Sequence, residues 1–162
     1  METPRPTPDQ LGQIGLFGGL DSETLSTLAE RLEVSMASPG QLLAREGDSA
    51  AEMFVVLNGE LEVFKSRSDG HDVRVALFGP GDWFGDMSLL DVQPRSASVR
   101  AVAPTHLLHM KARDVRVHLY DRDIHAYAIF IMNLAREMSR RLRVANGILA
   151  QMMVGAASSI RP

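Results

Sequence analysis

Residues 83–101, WFGDMSLLDVQPRSASVRA, place a glycine, an acid, a short run suited to one helical turn and a Pro-Arg pair in one window. Gly85 lets the backbone come close to a ligand, and amide groups at the start of a short helix attract negative charge. Arg95 can reach the same point with a planar fork of donors, the shape that pairs bidentately with phosphate. Asp86 adds a carboxylate able to accept hydrogen bonds from sugar hydroxyls. Together these residue types describe a sugar-phosphate site. The plainer alternative is an ion pair between Asp86 and Arg95 beside a turn, which carries no binding role.

The window needs a scaffold, and the hydrophobic pattern supplies one. Residues 21–34, DSETLSTLAERLEV, begin with Asp21 or Ser22 as N-cap and bring Leu25, Leu28 and Leu32 together at helical spacing. From Ser38 to about Lys111, short runs rich in Val, Phe and Leu are cut by PG, EGD, NGE, SDG, GPGD and QPR, the pattern of many short strands joined by turns. MFVVLNGELEVFK reads as a hairpin around Asn58-Gly59. Even spacing without long intervening helices argues for an antiparallel roll, sandwich or barrel rather than a parallel α/β sheet.

After Arg113 the pattern is helical again, with DVRVHLYD as a short piece and a long segment over about 123–153. In the long segment Ala128, Ile131, Ala135, Met138, Leu142, Ala145, Leu149 and Met152 alternate at spacings of three and four, a narrow coiled-coil seam. Asn146-Gly147 lowers helical propensity by roughly 1 kcal/mol at the glycine, yet the stripe continues beyond it and favours one unbroken helix. A parallel homodimer through this helix is expected; packing of the stripe on the chain's own strands is the alternative. Arg140, Arg141 and Arg143 read as a solvated face, with a patch beside the ligand that touches phosphate as the alternative, Trp83 as a half-buried core aromatic, and the nine Met mainly as gap-fillers.

Composition narrows the function. The chain has 162 residues, 45% hydrophobic, a net charge of −3 and no cysteine, numbers that suit one domain and exclude disulfide and thiol chemistry. The working domain is expected over 11–153, with residues 1–10 as a disordered tail and 154–162 as a loose one. The balance of charge offers no overall basic footprint, so no direct nucleic-acid contact is expected. METPRPTPDQ lacks the basic and apolar regions of a signal peptide and no long apolar run occurs, so a cytoplasmic protein without membrane contact is expected. His71, His106, His109, His118 and His125 form no H-x-H pair, and His106 and His109 point to opposite faces of one strand, so no metal site is expected. G-x-S-x-G, H-E-x-x-H and Walker-type runs do not occur. A non-enzymatic protein without a cofactor is the expectation.

The 83–101 window resembles the phosphate-binding cassette of the cyclic nucleotide-binding domain family, whose usual form is F-G-E, a small helix-forming run, then P-R and a small residue. Phe84, Gly85, Met87, Ser88, Leu89, Leu90, Pro94, Arg95, Ser96 and Ala97 match in register. The likeness extends over roughly residues 14–153, through the N-terminal helical segment, PGQLLAREGDSAAEMFVVLNGELEVF and the final helix, whose MSRRLRVANGIL is similar to the C-helix of catabolite-activator-like regulators. It implies an α+β fold: an antiparallel β-roll of the double-stranded β-helix or jelly-roll type, with N-terminal helices and a long C-terminal helix. It implies that Arg95 binds the exocyclic phosphate with help from Ser96, and that Gly85, Met87 and Ser88 give backbone contacts. Phe84, Pro94 and Ala97 complete the cassette, and Asp86 stands at the ribose position. Ala145 and, from a partner chain, Asn146 fall where the base is reached.

Two departures bear on the ligand. Asp86 is one methylene shorter than the usual Glu, and a lost hydrogen bond to a charged group costs roughly 1.5–3 kcal/mol, about 10- to 100-fold in affinity. Ala145 brings no hydroxyl to the base, whereas Asn146 and Ser96 can engage a guanine edge, so cGMP competes with cAMP as the expected ligand. Two alternatives stay open: a degenerate, non-binding dimerisation module, or a sensor of a cyclic dinucleotide. Relatives that regulate transcription add a helix-turn-helix after this helix, and too few residues follow Met152 for one. Signalling to a separate, unknown protein partner is therefore the expected output.

Overall fold

The computed structural model describes residues 4–91 and 93–158, with side-chain surroundings through Met153. In chain order the helices are α1 (Pro8–Gly12), a 3-10 turn (Gly15–Phe17), α2 (Ser22–Arg31), α3 (Met87–Leu90), α4 (Ala112–Val115) leading into a π-helical turn (Arg116–Tyr120), and α5 (Ile124–Ser158). The strands are β1 (Val34–Ala37), β2 (Leu42–Ala44), β3 (Glu52–Asn58), β4 (Leu61–Ser66), β5 (Asp72–Phe78), β6 (Trp83–Phe84), β7 (Ser98–Ala101) and β8 (Thr105–Lys111). Among the described residues they form two four-stranded sheets of order β1-β8-β3-β6 and β2-β7-β4-β5, with antiparallel pairing in both. The expected antiparallel roll with a long final helix is therefore present.

Alternation along β3 explains how one sheet serves two cores. Met53 and Val55 face the helices and pack with Leu108, Met110, Trp83, Phe17 and Phe130. Phe54 and Val56 face inward and pack with Leu61, Val63, Val99 and Leu107 from the roll. On β4, Glu62 is buried and accepts from Arg74 at 3.1 Å and Arg100 at 3.0 Å, which fastens β5, β4 and β7 side by side. Arg100 also lies over the Phe64 ring at 4.4 Å.

Asn58-Gly59 does not close a hairpin, contrary to the sequence expectation. β3 and β4 belong to different sheets, and Gly59, at φ 96°, turns a corner between them. The partner at the corner is Thr105, fully buried, whose Oγ1 accepts the Glu60 N–H at 3.1 Å and donates to Ala103 O at 2.8 Å. A tight turn signal specifies the bend but not the strand that the chain next pairs with. β4 and β5 do pair consecutively, and the Arg67–His71 turn with Gly70 at φ 84° joins them.

The expected disordered tail over 1–10 is corrected for the described part, since residues 4–10 are placed and Pro8–Gly12 is helical. Thr7 and Gln10 form a reciprocal capping box with Pro8 at the start of the helix, which satisfies amides a short helix otherwise leaves open. Arg5 donates to the carbonyls of Ala29, Glu30 and Leu32 at 2.8–3.2 Å, closing the C-terminus of α2. Residues 1–3 lie outside the described residues. α2 itself starts as expected, with Asp21 accepting from Thr24 N–H at 2.7 Å.

α5 packs its first half on the domain and then leaves it. Ala126, Phe130 and Leu134 are buried against the N-terminal helices, and Asn133 donates to the carbonyls of Leu16 and Gly18 at 3.1 and 2.8 Å. From Leu142 through Met153 every residue is exposed. The helix passes through Asn146-Gly147 unbroken and continues to Ser158, five residues beyond the expected end at 153. Alanines at 156 and 157 are strong helix formers, which offsets the glycine at 155. Residues 159–162 of the expected loose tail lie outside the described residues.

The two corner and hairpin glycines separate conformational strain from crowding. A Cβ on Gly70 meets no atom within 4 Å, whereas one on Gly59 lies 2.5 Å from Pro104 O and 2.6 Å from Thr105 Cα. Gly70→Ala is expected to cost about 1–2 kcal/mol for its left-handed backbone alone. Gly59→Ala should cost clearly more, above about 3 kcal/mol, by adding the clash. Equal midpoints in urea denaturation would contradict the assignment.

Candidate functional site

The β2–β3 loop clamps the main chain of Arg95, which puts its side chain at the open end of the roll. Arg95 N–H donates to Asp48 O, and Gly47 N–H donates to Arg95 O, both at 2.9 Å. The guanidinium then lies over two stacked rings, Phe54 and Phe84, 4.9 Å apart, at 5.9 and 5.8 Å. Nη2 donates to Glu52 O at 2.8 Å and Nη1 reaches Ser88 Oγ at 3.4 Å, while Nε is buried without a partner among the described residues. Burial pulls the Arg95 pKa below its ordinary value, opposed by the charges of Glu52 and Asp86. Arginine stays charged through such shifts, so the site holds an under-satisfied cation.

Gly85 makes this packing possible. Its φ is 82°, and a Cβ there would meet Arg95 Nη1 and approach Glu52 O to 2.7 Å. The sequence reading assigned Gly85 to close backbone approach, and the group approached is Arg95 itself. One residue on, Asp86 is buried and caps α3, accepting from Met87 N–H at 3.2 Å. Ser88 N–H donates to Gly85 O at 3.0 Å. The Met87 and Ser88 amides are thus engaged within the short helix, and a ligand would have to exchange these bonds to use them.

A cavity of about 180 Å³ opens over these groups. Phe84, Gly85, Asp86, Met87, Ser88, Pro94, Arg95, Ser96 and Ala97 all line it, so the structure brings the whole expected cassette together. Ala145 and Asn146 do not: both are exposed on the free part of α5, away from the cavity of this chain. Apolar walls come from Val63, Phe78 and Val99 across the roll.

Asp86 does not pair with Arg95. Its carboxylate meets Arg141, from α5, at 3.3 Å, and Arg141 also donates to Trp83 O at 2.8 Å. Glu137 steadies Arg141 from one turn back at 2.9 Å. Bonds from Arg140 first and Arg141 next hold the Glu137 carboxyl below the ordinary range. The Arg141 guanidinium covers the rings of Phe78 and Trp83 at 5.6 and 5.7 Å. Of the arginine patch expected to face solvent, Arg140 and Arg143 are exposed, but Arg141 forms part of the cavity wall. The signal was available: Ala126, Phe130, Leu134, Glu137 and Arg141 follow one another at spacings of four, four, three and four, a single helix face. Trp83, read as half-buried, is 6% exposed and sits in the helix-facing core.

A buried, under-satisfied guanidinium beside a buried carboxylate, at the mouth of an antiparallel roll closed by a long helix, defines a class. A family model described as the cyclic nucleotide-binding domain matches residues 36–119, and the chain belongs to that family. Among particular relatives, the cyclic AMP receptor protein of Thermus thermophilus is 34% identical over 131 residues, 81% of this chain and 58% of that protein. A cAMP-dependent protein kinase regulatory subunit of Mycosarcoma maydis is 27% identical over 137 residues, 85% of this chain and 25% of the relative. The crystal structure of the Thermus thermophilus catabolite activator protein superposes with a TM-score of 0.75 at 32% identity, covering 86% of this chain and 63% of that one. The chain thus spans less than two thirds of the length of these curated relatives. Among the described residues no helix is long and apolar enough to cross a membrane, and no cluster of three or more His, Asp or Glu is placed to hold a metal.

Gly85→Ala should drive the Arg95 guanidinium off Glu52 O and out of its seat. Affinity for a phosphate-bearing ligand is expected to fall by at least about 100-fold, as when a hydrogen-bonded buried charge loses its geometry. Fluorescence titration of wild type and variant checks this, and equal affinities would refute the steric reading.

Proposed function

We propose that this chain is a non-catalytic sensor of a cyclic nucleotide, cAMP or cGMP, that signals through α5. The observation that carries this reading is the buried Arg95 guanidinium with an unpartnered Nε, set in a cassette of the cyclic nucleotide-binding family. A buried charged donor without an acceptor is costly, and an anionic phosphate removes that cost. Asp86 is then available to a ribose hydroxyl only if its bond to Arg141 is exchanged or shared. That exchange links ligand to helix, because Arg141 is the last α5 residue held by the domain. Binding shifts the helix only to the extent that ligand affinity differs between the two arrangements.

Support for a homodimer comes from the face of α5 that the domain leaves open. The domain uses Ala126, Phe130 and Leu134, whereas the coiled-coil stripe exposes Leu142, Leu149 and Met152 at 62%, 58% and 66%. In a dimer through this stripe Asn146 would stand near the partner's site. The output then passes to a separate protein, or to a further part of a longer chain. A cytoplasmic setting accords with this role.

A second reading, a degenerate module that binds no nucleotide, is favoured by one observation: Arg141 already occupies the Asp86 carboxylate. Calorimetric titration with cAMP, cGMP and a cyclic dinucleotide separates the readings. Binding of cAMP or cGMP that Arg95→Ala abolishes is expected; no heat and no thermal shift at millimolar ligand would establish the degenerate module. Sedimentation at micromolar protein should show a dimer, and Leu142→Glu with Leu149→Glu should return it to a monomer without loss of folding. A monomeric wild type would overturn the helix interface.

A further inference from the structure

Beside Arg95, Glu52, His109 and Ser35 continue a polar string away from the cavity. His109 stands on β8 between β1 and β3, directly opposite Phe54, whose ring it meets edge-on at 4.7 Å. Its Nε2 lies 2.6 Å from Ser35 Oγ and its Nδ1 lies 3.6 Å from a Glu52 carboxylate oxygen. The main-chain carbonyl of the same Glu52 holds Arg95 Nη2 at 2.8 Å. Three residues, none of them in the cassette sequence, thus lead from the phosphate-binding arginine to the far edge of the sheet.

The string is built for two protonation states. A hydroxyl both donates and accepts, so Ser35 serves Nε2 whether that nitrogen carries a proton or not. The neutral ring, accepting from Ser35, turns Nδ1–H toward Glu52; the cation donates from both nitrogens and becomes a full counter-ion to Glu52. The other charges facing His109 are few. Glu33 on the β1 side accepts the His109 N–H at its carbonyl, 2.8 Å away, and its carboxylate is matched by Lys111 at 3.7 Å. Arg95 lies beyond Glu52. Glu52 thus touches both groups with different atoms, its carboxylate beside His109 and its main-chain carbonyl on Arg95, and the carboxylate charge acts on Arg95 through space.

We propose that Glu52, gripped by His109 and Ser35, is a positioning residue that sets how much positive charge Arg95 offers to an anion, and that protonation of His109 tightens binding of a phosphate-bearing ligand. With His109 neutral, the uncompensated Glu52 carboxylate lowers the positive potential at Arg95. With His109 charged, the carboxylate is balanced by imidazolium and the site gains one unit of positive charge. Linkage is reciprocal, so a bound phosphate favours the charged imidazole as much as the charged imidazole favours phosphate. The binding half rests on the cyclic-nucleotide reading; the coupling between Arg95, Glu52 and His109 does not.

Both halves are tested on the full chain. In ligand-free protein, the His109 imidazole is titrated by NMR in wild type, Glu52→Gln and Arg95→Gln. Glu52→Gln should lower its midpoint and Arg95→Gln should raise it, and a midpoint that neither variant moves overturns the proposal. The affinity for cAMP and cGMP is then measured between about pH 5.5 and 8, where histidine is the side chain that ordinarily titrates. Wild type should tighten by about fivefold as pH falls, at the lower end of coupling between linked sites. His109→Gln should be flat, and because His71, His106, His118 and His125 remain in both proteins, the difference isolates His109. Identical pH profiles overturn the proposal. Absence of nucleotide binding at every pH counts against the cyclic-nucleotide reading instead, and the NMR titration still decides the coupling.

Discussion

The arrangement depends on one buried cation. Arg95 has left water for a seat over Phe54 and Phe84, and its hydrogen bonds do not satisfy all of its donors. Such a group is held by everything around it: the β2–β3 loop clamps its main chain, Gly85 yields the space, and Glu52 offers a carbonyl from the neighbouring strand. The roll explains why these pieces meet. Its two sheets bring β3, the cassette and the β2–β3 loop to one open end, although Asp48 and Glu52 lie more than forty positions before Arg95 in the chain.

A second charge on the same end gives the long helix a reason to be where it is. Arg141 reaches from α5 to Asp86 and Trp83 O, so the helix is fastened to the cassette through the Asp86 carboxylate. Arg95 and Arg141 thereby divide the work. One is the buried cation at the floor of the cavity, and the other is the tie between that cavity and an element that leaves the domain directly afterwards.

How much of this was legible in the sequence follows from how far apart the interacting residues lie. The cassette was, because a glycine, an acid and a Pro-Arg pair within eleven residues fold as a local unit and appear together around one cavity. The long helix was too, since its periodicity persists across Asn146-Gly147. The corner at Gly59 was misread as a hairpin because the dipeptide reports a backbone conformation and not a partner strand. The N-terminal residues were taken for a tail because a Pro-rich run looks unstructured until Arg5 finds the α2 carbonyls. Glu52, His109 and Ser35 gave no signal at all, for they come from three strands and acquire meaning only when the sheet sets them side by side. Arg141 lay between these cases: helical spacing placed it on the buried face, but a run of arginines drew it toward solvent.

The free end of α5 has a mechanical consequence. From Arg141 to Ser158 the helix runs 17 residues, about 25 Å at the rise of an α-helix, and Leu142 through Met153 are all exposed along it. A rigid rod anchored at one end multiplies small rotations. A tilt of about 10° at Arg141 carries the tip through about 4 Å, close to one helical turn. Under the proposed function, an exchange of partners at Asp86 that tilted α5 by this angle would move its tip far enough to make or break a contact between molecules.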